Sequence, residues 1–239
     1  MFLYNELQKR ESNQDRIKVG LVGAGKFGSM FLSQVPFSIG LEVVSIADIS
    51  VQNARKNCMD VGWTDDRIES VLFFDSLKKM IAETKIDVLV EATGDPIEGT
   101  KHALLAIEEG IDIIMVNVEA DVTCGKFLSD LANKNNVVCS MAYGDQPSLI
   151  MEQIEWARLN GFQVICAGKG TKYHPTFEYS TPETVWDHYG LTQERAEKES
   201  GMNPKMFNSF LCGDKSAIEM CAVSNAADWK CPKDGLTFP

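Results

Sequence analysis

Short apolar runs alternate with segments of helical periodicity along the first 142 residues. Runs rich in Val, Ile and Leu predict six strands, at Ile17–Val22, Glu42–Ala47, Val71–Phe74, Asp87–Ala92, Asp112–Val116 and Val137–Ser140. Between them, apolar residues recur at helical spacing in Lys26–Val35, Val51–Cys58, Ser76–Glu83, Ile97–Glu109 and Gly125–Asn135. Apolar strands separated by helices are typical of a parallel sheet covered on both faces. Residues 1–142 are therefore predicted to form an α/β domain, a doubly wound parallel sheet of the Rossmann type.

Residues 143–239 show a different pattern, which predicts a smaller α-rich α/β unit. Asp145 can cap a helix that follows it, and one strand is predicted at Phe162–Ala167. A last long helix is predicted to open at Asn203-Pro204. A single strand cannot satisfy its own backbone groups, so we expect it to pair elsewhere and the chain to form a homo-oligomer. This part is interpreted as a partial catalytic, substrate-binding and oligomerisation domain.

A glycine-rich motif follows the first strand and opens the next helix. A G-x-G-x-x-G pattern in this setting is typical of dinucleotide binding, because the helix N-terminus supplies amide donors for the pyrophosphate. One glycine makes the tight turn, one lets the pyrophosphate approach the backbone, and one permits close helix–strand packing. The predicted cofactor contacts at this turn are Gly23, Gly25, Lys26, Phe27 and Gly28.

An acidic residue, Asp48, ends the second predicted strand, twenty residues beyond Gly28. A carboxylate at this place binds the adenosine ribose hydroxyls and repels a 2′-phosphate. The sequence therefore predicts NAD as the cofactor in preference to NADP. The alternative interpretation is that Asp48 only caps the next helix.

Polar residues also follow two later strands, at the sheet edge where α/β proteins bind ligands. Thr93 and Gly94 follow one strand and are predicted to contact the cofactor. If the segment after the next strand stays extended, Asn117, Glu119 and Asp121 point the same way and can hold the nicotinamide ribose and carboxamide. The alternatives are that Asp121 caps a helix and that Glu119 is an ordinary solvated carboxylate.

Lys169 is the leading candidate for catalysis. It follows the predicted strand of the second part and lies between two glycines, where a substrate can approach closely. Partial desolvation there would lower the pKa of its ammonium group toward a range useful for proton transfer. Lys172 lies three residues further on. The alternative is a glycine-rich surface loop with solvated lysines.

The predicted last helix carries a narrow polar stripe. At 100° per residue, Asn208, Cys212, Lys215 and Glu219 fall within about 60° of one another. Lys215 precedes Glu219 by four residues, the less favourable order for a stabilising surface pair. Lys215 and Glu219 are therefore candidate catalytic residues, with a solvent-facing stripe as the equal alternative; Cys212 is interpreted as a packed thiol.

The amino-acid composition restricts the kinds of molecule that the protein is expected to bind. A formal net charge of −11 disfavours nucleic acids and anionic membranes. No apolar run is long enough to span a bilayer, and the first fifteen residues lack a signal pattern, so we expect a cytoplasmic protein. The seven cysteines contain no C-x-x-C pair and are interpreted as reduced thiols. The three histidines are scattered, so no metal site is expected, and the predicted partner is a small-molecule substrate.

Several longer segments resemble one family of enzymes. They are Met115–Val122, Tyr143–Pro147, Ala167–Lys172, Phe207–Phe210 and Lys215–Met220. In this order they resemble the homoserine-dehydrogenase-like oxidoreductases that carry a C-terminal SAF domain, a group with deoxyxylulose-phosphate-reductoisomerase-like enzymes and sugar-acid oxidoisomerases. The resemblance implies an NAD(P)-dependent dehydrogenase or oxidoisomerase for a small polyhydroxylated, anionic substrate such as a sugar acid or polyol phosphate. It also implies that Lys169 and Lys215 lie near the substrate.

The chain departs from this family at two places. The family's stretch before the second lysine commonly reads Asp-Gly-Thr-Lys, whereas Cys212–Lys215 reads Cys-Gly-Asp-Lys. The chain also stops at Asp234–Pro239, where relatives continue into the SAF domain, so we expect either a fragment or a shortened relative. Both departures favour the alternative hypothesis of a non-catalytic dinucleotide-binding sensor or assembly subunit.

Overall fold

The computed structural model describes residues 2–170 and 174–231. The chain divides into two compact units, residues 1–142 and 143–239, each of which is described by itself. Lys172 lies outside the described residues. No helix in the described ranges is long and apolar enough to cross a membrane.

The first unit is built on one six-stranded sheet. Its strands are β1 Ile17–Val22, β2 Leu41–Ala47, β3 Leu72–Phe74, β4 Val88–Glu91, β5 Asp112–Met115 and β6 Cys139–Met141. All neighbouring pairs are parallel, in the order β3-β2-β1-β4-β5-β6. The predicted Rossmann sheet is confirmed, and each strand ends within two residues of its predicted limits. The strand order reverses between β1 and β4, and a sheet of this order binds ligands at the carboxyl ends of those strands.

Helices cover both faces of this sheet. They are α1 Leu3–Ser12, α2 Lys26–Gln34, α3 Val51–Asp60, α4 Asp65–Glu69, α5 Leu77–Glu83, α6 Pro96–Glu108 and α7 Val118–Asn135, with a 3₁₀ turn at Val35–Phe37. One apolar core includes Leu89 and Ile113, and a second includes Leu21 and Ile46. Two separate cores explain why the strands are apolar throughout.

The regular elements of the second unit are all helices or helical turns within its described residues. Its α-helices are α8 Gln146–Leu159, α9 Val185–Tyr189, α10 Pro204–Leu211 and α11 Asp214–Ala227, with a 3₁₀ turn at Pro175–Tyr179 and a π-type turn at Glu194–Glu199. Asp145 caps α8, since its side chain accepts a hydrogen bond from the Gln146 amide. The unit is α-rich, as predicted.

The predicted strand at Phe162–Ala167 is wrong. This segment is irregular. Val164 and Ala167 pack against the core of Ile154, Val223 and Ala227, which accounts for the apolar pattern that suggested a strand. A strand also needs a neighbouring strand for its backbone hydrogen bonds, and the described residues of this unit contain none.

The predicted long helix from Pro204 is two helices. Asn203 caps α10, but the helix stops at Leu211 and α11 begins at Asp214. Gly213 between them has φ +92°, a left-handed conformation that ends a right-handed helix. The predicted polar stripe assumed one continuous helix and is therefore wrong as a continuous face, although Lys215 and Glu219 do share α11.

Candidate functional site

The surroundings of the three motif glycines explain in different ways why each position holds a glycine. A Cβ on Gly23 (φ +90°) would lie 2.8 Å from backbone atoms of Ala92 and Thr93, and one on Gly28 would overlap the Gly23 carbonyl oxygen. These two glycines are required by the tight turn and by close packing. A Cβ on Gly25 would meet no atom within 4 Å, and its φ is an ordinary −68°. Nothing in the fold therefore demands glycine at position 25, whereas an approaching pyrophosphate would.

The N-terminus of α2, directly after Gly25, is exposed to solvent. Gly25 is the residue before the helix, and Gly25, Lys26 and Phe27 are all exposed. Amides in the first turn of a helix lack partners within that helix and carry the positive end of its dipole. The loop can therefore receive an anionic group such as a pyrophosphate.

Asp48 lies directly after β2, next to the glycine loop. Its Oδ2 accepts a hydrogen bond from the Ala24 amide at 2.9 Å, and its Oδ1 accepts one from the Ser50 amide at 2.9 Å. Ser50, not Asp48, caps α3, because the Ser50 hydroxyl accepts from the Asn53 amide. The helix-capping alternative for Asp48 is therefore wrong. The carboxylate keeps further acceptor positions for ribose hydroxyls.

The segment after β5 turns directly into a helix, so the predicted extended arrangement is wrong. Asn117 is the N-cap of α7: it is 2% exposed, and its Oδ1 accepts from the Ala120 amide at 3.1 Å. Its Nδ2 donates to the carbonyl of Asp95 at 2.7 Å, which connects α7 to the turn that contains Thr93 and Gly94. Glu119 and Asp121 lie in the first turn of the helix, about 200° apart around its axis.

Asp121 packs against the protein interior. A Cβ on Gly125 would lie 2.6 Å from Oδ1 of Asp121. Burial raises the pKa of the nearby Cys139 thiol, and the negative charge of Asp121 raises it further. Burial raises the pKa of the Asp121 carboxyl from 3.8 to about 6. Keeping this group ionised at neutral pH therefore costs stability.

We expect Asp121→Asn to stabilise the protein at neutral pH. The Asp121 carboxyl holds its proton more tightly in the folded state than in the unfolded chain. The free energy of unfolding therefore falls by up to roughly 2–3 kcal/mol as pH rises from about 4 through 6. Thermal melts should show a larger gain in Tm at pH 7.5 than at pH 4.5. Asp130→Asn, an exposed site on the same helix, is the control and should show no such difference. Equal gains at both pH values would contradict the prediction.

In the second unit, two of the predicted catalytic residues meet. The ammonium of Lys169 forms an ion pair with Oε2 of Glu219, which projects from α11. The Glu219 residue is 2% exposed, while the Lys169 side chain keeps 20% of its surface accessible. Lys169 therefore does not have the solvated loop position of the alternative interpretation. Lys215, one helical turn before Glu219, is partly buried.

The remaining candidates for chemistry are inert in this arrangement. Burial raises the pKa of the Cys212 thiol, which disfavours the thiolate that a nucleophile requires. None of the seven cysteines, all of which lie in the described residues, forms a disulfide bond. Among the described residues, no group of His, Cys, Asp or Glu side chains is arranged to hold a metal ion.

Sequence reasoning gave no role to Glu91 or His102. Glu91 ends β4 and is fully buried, and its Oε1 faces the Nδ1 of His102 at 3.3 Å. One signal was present in the sequence, namely a carboxylate that directly follows a run of apolar strand residues. The helical position of His102 gave no hint, because its partner is eleven residues away and on another element.

Two family models match the chain. Residues 19–141 match the NAD-binding domain of homoserine dehydrogenase, and residues 144–239 match the catalytic domain of oxidoreductase DRL. No curated protein matches the sequence significantly.

Several solved structures are similar to part of the chain at low sequence identity. The WlbA dehydrogenase from Bordetella pertussis, solved with NADH and UDP-GlcNAcA, is 21% identical with a TM-score of 0.45; the alignment covers 60% of this chain and 44% of that one. The WlbA enzyme from Chromobacterium violaceum is 16% identical with a TM-score of 0.47, over 61% and 40%. A myo-inositol dehydrogenase from Corynebacterium glutamicum is 17% identical with a TM-score of 0.44, over 61% and 41%. The alignments thus span less than half of these proteins.

The first family match covers more than half of this chain and coincides with the sheet and its glycine loop. The prediction of an NAD-binding Rossmann domain is therefore confirmed, while the narrower resemblance to enzymes with a SAF domain stays a prediction. The chain belongs to the family defined by the NAD-binding domain of homoserine dehydrogenase.

Proposed function

We propose that this chain forms the cofactor-binding and reacting part of an NAD-dependent dehydrogenase or oxidoisomerase. Its substrate would be a small polyhydroxylated, anionic compound such as a sugar acid or polyol phosphate. The observation that carries the proposal is the pair of Lys169 and Glu219: a partly accessible lysine held by a buried carboxylate. It lies in the unit that matches an oxidoreductase catalytic domain.

The residues of the first unit fit a dinucleotide. The open space at Gly25 and the amides at the start of α2 suit the pyrophosphate, and Asp48 suits the adenosine ribose. Thr93 and Gly94 follow β4, at the sheet edge where the nicotinamide half would bind, and the buried Asn117 supports their turn without access to a ligand. When bound, the nicotinamide accepts a hydride from a substrate carbon or returns one to it.

The second unit supplies the proton chemistry in this proposal. Lys169 Nζ donates a proton to a substrate carbonyl oxygen during reduction and takes it back from the hydroxyl during oxidation. Glu219 fixes the direction of the lysine side chain, since its carboxylate is buried and forms an ion pair with the ammonium group. Lys215 contributes positive charge for an anionic substrate group.

A second candidate function is a dinucleotide-binding sensor or assembly subunit without turnover. The observation that favours it is the same ion pair, because a buried carboxylate that neutralises a lysine can also serve only to hold a loop. A screen of sugar acids, polyols and polyol phosphates with NAD or NADH, followed by nicotinamide absorbance, decides between the two. Turnover supports the enzyme, whereas NAD binding without any turnover supports the sensor.

NAD should bind at least tenfold more tightly than NADP. The Asp48 carboxylate beside the glycine loop would repel the 2′-phosphate, and the Ala24 and Ser50 amides hold it in place. Asp48→Asn removes the charge and keeps an acceptor for one of these two amides, and it should raise NADP affinity relative to NAD. Calorimetry on both proteins tests this, and equal affinities of the unmodified protein for both cofactors would refute the role of Asp48.

We also propose that the chain self-associates, although not through the strand predicted from sequence. Support comes from large apolar side chains exposed on the second unit: Leu159 is 80% exposed and Ile165 is 91% exposed. Light scattering at micromolar concentration should give at least twice the chain mass of 26.5 kDa. Leu159→Lys with Ile165→Lys should then shift the mass to that of the monomer. A monomeric unmodified protein would contradict the proposal.

A further inference from the structure

A buried carboxylate organises the turn that follows β4. Glu91 is fully buried, and its Oε1 accepts hydrogen bonds from the Thr93 amide at 3.2 Å and from the Thr93 hydroxyl. The Nδ1 of His102, on α6, approaches the same oxygen at 3.3 Å. Because a carboxylate only accepts, Nδ1 is the donor in this contact. Three donors thus converge on one carboxylate oxygen.

The other carboxylate oxygen of Glu91 is costly to bury. Among the described residues, no hydrogen-bond donor reaches Oε2, which has essentially no solvent access. A Cβ on Gly99 would lie 3.1 Å from it, so α6 packs directly over the carboxylate. A buried acceptor without a donor opposes folding, and a carboxylate does so more than a neutral group. Packing alone is therefore a poor reason for a glutamate here.

Glu91 determines which way the Thr93 hydroxyl points. A hydroxyl has one hydrogen, and Thr93 donates it to Glu91, so only lone pairs remain for other contacts. One of them faces the Asp95 amide at 3.4 Å. Thr93 itself is exposed, and its backbone lies beside Gly23 of the glycine loop. Thr93 thus presents an acceptor at the cofactor edge of the sheet.

The turn is also held from its far side. Asn117 Nδ2 donates to the carbonyl of Asp95 at 2.7 Å, and the Asp95 side chain caps α6 by accepting from the Ile97 and Glu98 amides at 2.9 Å. Glu91 and Asn117 are both buried, and their hydrogen bonds hold the two ends of the segment from Thr93 to Asp95. Such support preorganises a binding group before its ligand arrives.

We propose that Glu91, supported by His102, is a positioning residue that holds the Thr93 hydroxyl as a hydrogen-bond acceptor for the nicotinamide half of the cofactor. This inference rests on the proposed function, because it takes NAD as the ligand of this edge. The group that Thr93 recognises is a donor, either the carboxamide N–H or a hydroxyl of the adjacent ribose. A glutamine at position 91 keeps an amide oxygen where the donors of Thr93 and His102 converge, whereas a methionine of similar length offers them no oxygen and leaves the direction of the Thr93 hydroxyl unset.

A ladder of ligands tests this. ADP carries only the adenosine half, ADP-ribose adds the second ribose, and NAD adds the nicotinamide; calorimetry measures each with the unmodified protein, with Glu91→Met and with Glu91→Gln. We expect Glu91→Met to leave ADP affinity within about twofold and to weaken NAD binding about tenfold, the effect of one hydrogen bond, while Glu91→Gln keeps most of the NAD affinity. If ADP-ribose weakens equally, the donor is the ribose; if only NAD weakens, it is the carboxamide.

Variants of the threonine separate positioning from a loss of stability. Thr93→Val keeps the shape without the hydroxyl and should reproduce the loss seen with Glu91→Met, while Thr93→Ser should retain affinity. The double variant of Glu91→Met and Thr93→Val should bind NAD no more weakly than either single variant. Additive losses, an equal loss for ADP, or unchanged NAD binding in both single variants would overturn the inference. If the unmodified protein binds neither ADP nor NAD, the proposed cofactor function itself fails.

Discussion

Lys169→Met should lower kcat by about 100-fold or more on any substrate that the protein turns over, because general acid–base groups typically contribute this much. NAD affinity should stay within about twofold, since the residues proposed to hold the dinucleotide belong to the first unit. Steady-state kinetics and calorimetry measure the two quantities. Full activity of this variant would show that the catalytic assignment is wrong and would make Lys215 or Glu219 the candidate.

The ion pair complicates this single variant, because removing Lys169 leaves Glu219 buried and unpaired. Such a change typically costs about 3–5 kcal/mol of stability. The double variant of Lys169→Met and Glu219→Leu removes both charges and should recover most of the lost Tm, since apolar replacements of buried pairs are often tolerated. Recovered stability without recovered kcat supports a catalytic lysine. Activity that returns with stability would mean that the pair only holds the loop.

Lys215→Met serves as the matched lysine control. If its charge mainly holds an anionic substrate group, the variant should raise KM more than it lowers kcat, because uniform binding energy appears in KM. A fall in kcat comparable to that of Lys169→Met would instead assign proton transfer to Lys215.

Gly25→Val should abolish NAD binding while the protein stays folded. A Cβ there meets nothing within 4 Å and the backbone conformation is open to any residue, so the substitution leaves the fold intact. The valine would occupy the space that the pyrophosphate needs beside the helix N-terminus. We expect a loss of at least about 100-fold in affinity by calorimetry, and unchanged circular dichroism.

Gly28→Ala is the contrasting variant. Its methyl group would overlap the Gly23 carbonyl oxygen, which is backbone and cannot move aside cheaply. This variant should therefore lose stability, by about 1–3 kcal/mol or more, even without ligand. Unimpaired NAD binding by Gly25→Val would contradict the assignment of the glycine loop to the pyrophosphate.

The sheet of the first unit and the place of its glycine loop could be predicted from the order of the residues alone. Strands that are apolar on both faces, with helical periodicity between them, leave few arrangements other than a covered parallel sheet. These signals are local: a run such as Ile17–Val22 and the glycines directly after it lie together in the chain. The NAD-binding domain was predictable for this reason.

The residues that meet across long distances in the chain became visible only in the folded structure. Lys169 pairs with Glu219, fifty residues away, and helical periodicity cannot reveal such a contact. The irregular segment before Lys169 has no strand partner among the described residues, and Gly213 divides the last helix, because hydrogen-bonding neighbours and backbone angles depend on the surrounding chain. Residues close in space but distant in sequence leave no periodic trace, so the candidate reacting pair needed the folded chain to be seen.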